Sequence, residues 1–123
     1  MTDLGADPID AAAFANLLEM TGGDQAFVDE LVDTYLEEGA SLVDRLRTAA
    51  ATGAGDDLMR AAHSLKSSSM NVGALPLGEL CRSLETEART GTVPDVRDRA
   101  EEIAAAFEGA RQALLAERER RAG

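Results

Sequence analysis

The sequence predicts an all-α protein, an antiparallel up-down four-helix bundle with an additional short N-terminal helix. Three observations carry this. Apolar residues recur at helical spacing in one segment after another, and no stretch alternates as a strand pair would. The composition favours Ala, Leu, Glu and Arg, all good helix formers. The 3 prolines stand near element starts, and glycine-containing breaks separate the stripes. At 123 residues the chain is one domain of ordinary size. The expected division is a flexible segment over 1–6, a bundle over 7–118 and a flexible end over 119–123.

The elements follow in order. Asp7-Pro8 reads as an N-cap followed by proline at the first helical position. Ile9, Ala13, Leu17 and Leu18 make a short apolar face that Gly22-Gly23 ends. Asp24 caps a longer helix with the stripe Val28, Leu31, Val32, Tyr35, Leu36, Leu42, Val43, Leu46 and Ala50. Gly39 predicts a bend or a frayed turn within it. After a break at Thr52–Gly55, Asp56 is the expected cap of a third helix carrying Leu58, Ala62, Leu65, Ser69 and Val72, ended by Gly73. A fourth begins near Pro76 and carries Leu77, Leu80, Cys81, Leu84 and Ala88. Beyond Thr90-Gly91-Thr92, a fifth starts near Pro94 and carries Val96, Ala100, Ile103, Phe107, Ala110 and Leu114. Four helices of three turns or more, with short connections, make the bundle, and the shorter first helix is expected across one end.

Composition narrows function. Apolar residues form 45% of the chain, and a chain of this length buries roughly two-thirds of its unfolded surface without a metal or disulfide. Its single Cys excludes an intrachain disulfide, and with no Trp, 1 Tyr and 3 Phe there is no base-stacking platform. A net charge of −11 makes nucleic acid and anionic membrane poor partners. No apolar run approaches the ~20 residues of a membrane span, and no basic, apolar leader is visible, so the expected compartment is the cytoplasm. A monomer is expected.

The basic residues are unequal in kind. Among 12 Lys and Arg the only Lys is Lys66, and it follows the only His, His63, by one helical turn. On a helical wheel centred on the core stripe of the third helix, His63 falls about 140° away, Lys66 about 80°, Met59 about 100° and Met70 about 120°. These four form a strip beside the core, and Ser67, at about 180°, faces water. An accessible imidazole with the ordinary pKa near ~6.5 is mostly neutral at pH 7 and nucleophilic through its unprotonated nitrogen. The ammonium one turn away suits an anion such as a phosphoryl group. Small residues at Ser64, Ser67 and Ser68 let another protein approach closely, and methionines suit an adaptable docking surface. Against this stands the plain reading of a surface histidine without a role, and of Met59 and Met70 as ordinary core residues.

The wider pattern is Ala62-His63-Ser64-Leu65-Lys66-Ser67-Ser68-Ser69, Asn71-Val72-Gly73-Ala74, Leu77, Leu80-Cys81 and Leu84-Glu85. It resembles the histidine-containing phosphotransfer (Hpt) domain family. The strong part covers residues 61–89, and several fixed spacings match together. The resemblance implies that His63 accepts a phosphoryl group from a receiver-domain aspartate and gives it to another. Lys66 then stands beside the phosphoryl group, Gly73 ends the helix, and Glu85 on the next helix supports the imidazole. Arg89, one turn on, supports Glu85 or contacts the phosphoryl group. The plain alternative for Glu85 is a solvated helix residue. One position departs from the family: Ser67 replaces the usual Gly after the Lys. Met59, Ser64, Ser67, Met70 and Arg89 are the expected docking residues. The implied partners are response-regulator receiver domains and a hybrid histidine kinase. No cofactor of the chain's own is expected, since magnesium would come with the receiver.

Other readings are weaker. A bundle that binds a receiver or kinase without being phosphorylated leaves His63 and Lys66 unexplained. A di-iron bundle needs Glu-x-x-His motifs from two helices, which one histidine cannot supply. A hydrolase using His63 as base lacks a nucleophile motif. No Gly-rich nucleotide loop is present, so neither kinase nor hydrolase activity of the chain's own is expected.

Overall fold

The computed structural model describes residues 7–91 and 93–122. The expected flexible segment 1–6 lies outside the described residues, as does position 123. Five helices follow one another: α1 (Ala11–Met20), α2 (Gln25–Thr52), α3 (Gly55–Asn71), α4 (Leu75–Thr90) and α5 (Val96–Ala122). The described residues contain no strand. Helices α2 to α5 make the bundle: α3 packs between α2 and α4, and α5 closes against both. The core is Val28, Val32, Tyr35, Val43 and Leu46 of α2, Leu58, Ala61, Ala62 and Leu65 of α3, Leu77, Cys81 and Leu84 of α4, and Ala100, Ile103, Phe107, Ala110 and Leu114 of α5. Leu31, Leu36 and Leu42, expected in the stripe of α2, are only half-buried at its edges.

Three starts and breaks differ from expectation, each for a local reason. Helix α1 begins at Ala11 rather than at Pro8, because the Asp10 amide donates to Gly73 O (2.7 Å) and fixes the chain there before it can coil. Helix α3 starts at Gly55 with Ala54 as its N-cap, so Asp56 is not the cap. Gly53, in the left-handed region at φ 75°, turns the chain so tightly that the Ala54 amide still bonds to Ala49 O. Asp56 and Asp57 lie instead in the first turn, where the helix dipole favours them. Helix α2 passes through Gly39 without a break. A Cβ there would lie 2.4 Å from Phe107 Cε1, so glycine makes room for a ring rather than ending a turn. Asp24 caps α2 as expected, its carboxylate accepting from the Phe27 amide at 3.1 Å.

Gly73 anchors the end of the molecule nearest α1. Its φ of 87° closes α3, with the Ala74 amide donating to Ser69 O and the Gly73 amide to Met70 O. Its missing side chain also lets α1 in, since a Cβ would meet Ala13 Cβ and Asp10 O at 3.2 Å. Phe14 of α1 is buried at this end. The helical backbone of α5 continues past 118, where Arg118 donates to Asp29 O (3.2 Å) and Asp33 Oδ1 (2.7 Å) of α2.

Candidate functional site

Helices α3 and α4 are antiparallel neighbours joined by only Val72-Gly73-Ala74. That short connection sets the middle of α3 opposite the third turn of α4, and so brings His63 to Glu85. His63 Nδ1 lies 2.8 Å from Glu85 Oε2. An ionised carboxylate only accepts, so Nδ1 carries the proton and donates. Nε2 is left with its lone pair, on a side chain that is 59% exposed.

Glu85 is buried, its side chain only 5% exposed. A lone carboxylate there would be strongly unfavourable. Three cationic or donor groups from two helices answer it. Oε2 accepts from His63 Nδ1 and from Arg89 Nη2, each at 2.8 Å, and Oε1 holds Lys66 Nζ at 3.0 Å. Burial by itself would raise the Glu85 carboxyl, but the hydrogen bonds and charges of Lys66 and His63 outweigh it and hold the group below the usual carboxylate range. Glu85 is therefore a charged, buried anchor beneath an exposed imidazole, not a solvated residue.

The remaining residues fall around this centre. Ser64 and Ser67 are exposed beside His63, and Met59 is half-buried. Met70 is 38% exposed and leans across α4, so that a Cβ on Gly78 would stand 2.4 Å from its sulfur. Lys66 is not a free ammonium waiting on the surface: its side chain is 25% exposed and its charge is engaged by Glu85. Sequence reasoning missed Ala61, buried next to the stripe, and the hydrogen bond between Tyr35 and Ser69 (2.8 Å), which satisfies two polar groups in the core. Burial raises the Tyr35 hydroxyl to about 12. Burial, followed by the charge of Glu85, raises the Cys81 thiol to about 12 as well, which makes it an inert core residue rather than a nucleophile. Among the described residues no group of three or more His, Cys, Asp or Glu could hold a metal ion, and no helix is long and apolar enough to cross a membrane.

The profile of the Hpt domain family matches residues 30–113, the span from α2 to most of α5. The chain belongs to the Hpt domain family. Its fold agrees along nearly its whole length with the crystal structure of histidine-containing phosphotransfer protein B (HptB) from Pseudomonas aeruginosa PAO1. The TM-score is 0.85 and the identity 28%, with 94% of this chain and 98% of that one covered. No curated protein matches the sequence. In this Hpt domain, His63, Glu85, Lys66 and Arg89 form one connected cluster, while Met59, Ser64, Ser67 and Met70 lie outside its hydrogen bonds.

Proposed function

We propose that the chain is a phosphoryl carrier of a two-component phosphorelay, with His63 as its only acceptor. The observation that carries this reading is the His63–Glu85 pair: a buried carboxylate holds Nδ1 and leaves Nε2 exposed for attack. In the transfer, Nε2 forms a bond to phosphorus as the acyl-phosphate bond of a receiver aspartate breaks, and the electron pair of that bond stays on the aspartate. Glu85 steadies the positive charge that develops on the ring. The reverse reaction hands the group to another receiver. The domain is half of an active site: the receiver brings the aspartate cluster, its magnesium ion and its backbone donors, and this chain brings the nucleophile and a face with small side chains at Ser64 and Ser67. Its partners are receiver domains, those of a hybrid histidine kinase included, in the cytoplasm, and it acts as a monomer.

The test is incubation with a phosphorylated receiver and tracing of the phosphoryl group. The label should be acid-labile and alkali-stable, as a phosphoramidate is, and absent from His63→Gln. Label that survives acid, or full labelling of His63→Gln, rules the reading out. Receiver binding with no labelling of the wild-type chain would instead identify a non-phosphorylated adaptor.

A further inference from the structure

The site holds a conflict. Family resemblance puts Lys66 on the phosphoryl group, yet in the unphosphorylated protein its ammonium lies 3.0 Å from Glu85 Oε1. One ammonium cannot neutralise both fully. The two carboxylate oxygens are divided in a way that resolves this. Oε2 carries His63 Nδ1 and Arg89, and Oε1 carries Lys66. Lys66 can leave without disturbing the bond that orients the imidazole. It stands one turn from His63 on α3, a spacing at which side chains meet.

We propose that Glu85 and the phosphoryl group compete for Lys66. The ammonium is handed from Oε1 to the phosphoryl oxygens as Nε2 is phosphorylated, and it returns when the group leaves. Arg89 is a positioning residue for this exchange and acts through Glu85. Its guanidinium repels the Lys66 ammonium on the shared carboxylate, and so lowers the cost of release. It then remains on Oε2 to keep the buried charge compensated. The Lys66–Glu85 pair thereby favours the empty state of His63 and makes phosphorylated His63 a readier donor. The inference rests on the phosphotransfer reading above.

Lys66 is the only lysine, so protein carrying isotope-labelled lysine at Nζ gives one side-chain ammonium resonance. Full-length chain is phosphorylated with phosphoramidate, and phosphohistidine is followed by phosphorus NMR. In the resting protein the Lys66 resonance should respond to Glu85→Gln; after phosphorylation it should move and lose that response. A Lys66 resonance that stays put while phosphohistidine forms overturns the handover and leaves phosphotransfer intact. Absence of phosphohistidine overturns both. The second arm measures the equilibrium between phosphorylated His63 and a phosphorylated receiver. Arg89→Gln should lower the phosphorylated fraction ratio about fivefold and have no effect in a Lys66→Met background, a coupling of the size that contacting residues show. Circular dichroism confirms that each variant is folded. If the Arg89 effect persists without Lys66, Arg89 acts on the phosphoryl group directly and the handover is wrong.

Discussion

Glu85 shows most sharply what a single residue does for function at the expense of fold. A buried carboxylate with three partners contributes little net stability, because desolvation offsets most of the attraction. Its partners His63 and Arg89 have side chains that are 59% and 62% exposed, so both can turn to water if the carboxylate is removed. Glu85→Leu should therefore remain within about 1 kcal/mol of wild type in urea unfolding at pH 7, or exceed it, while phosphotransfer falls by 100-fold or so, about the cost of removing one preorganised electrostatic group. The pH dependence carries the sign. The folded carboxyl is held below its ordinary value of 4.5, so its contribution is full above that value and is lost as pH falls through the lowered one. The stability of wild type relative to Glu85→Leu should thus decline on acidification below about 4.5, and a flat difference would show that the charge is not stabilised in the native state. Sequence alone could not decide this residue. On the wheel of α4, Glu85 sits about 80° from the core stripe, at the boundary where a side chain turns in or out. What turns it inward is a set of cations from two helices, and spacing within one helix does not contain that information.

At the scale of elements, most of the fold was legible because apolar stripes at helical period leave few alternatives. Every core position expected on α3 is buried, from Leu58 to Val72. Helix starts were less legible. Asp7 and Asp56 are good capping residues by type, but the Asp10–Gly73 bond and the Gly53 turn decide where coiling begins. Gly39 misled for the same reason: its meaning lies in Phe107, 68 positions along the chain. The Phe107 ring is only 7% exposed and is tilted at 56° against Tyr35, with centroids 5.8 Å apart, so it has little room to yield. Gly39→Ala should accordingly destabilise the protein by about 1–2 kcal/mol, the overpacking penalty exceeding the ~1 kcal/mol that alanine gains as a helix former. Gly55→Ala is the control, since nothing lies within 4 Å of its Cβ, and it should be neutral or slightly stabilising. If Gly39→Ala matched it, the α2–α5 contact would be loose enough to absorb a methyl group.

For the whole molecule the governing quantity is where the charge sits. Residues 1–44 hold 11 of the 23 acidic residues and none of the 12 Lys and Arg, while residues 45–123 hold 12 of each. The entire net charge of −11 thus belongs to α1, the first part of α2, the segment before α1 and the turn between the two helices. On α2, Asp29, Glu30, Asp33 and Glu37 stand three or four residues apart, and like charges at that spacing repel by about 0.2–0.5 kcal/mol per pair. Arg118 of α5 is the cation that the structure brings to this stretch, bonding to Asp29 O and Asp33 Oδ1. Salt acts on both terms with opposite signs: it screens the repulsion, which stabilises, and it weakens the Arg118 pairs, which destabilises. Several repulsive pairs against the two partly exposed ion pairs of a single arginine, with Asp29 and Asp33, each worth about 0–1 kcal/mol, leave the repulsion ahead. Thermal stability at pH 7 should therefore rise between 10 mM and 500 mM sodium chloride, and it should rise more in Arg118→Gln, where only the repulsion remains to be screened. A wild-type midpoint that falls with salt would mean that the Arg118 tie outweighs the repulsion along α2, and that this charge contact adds more to the α2–α5 packing than the like charges take away.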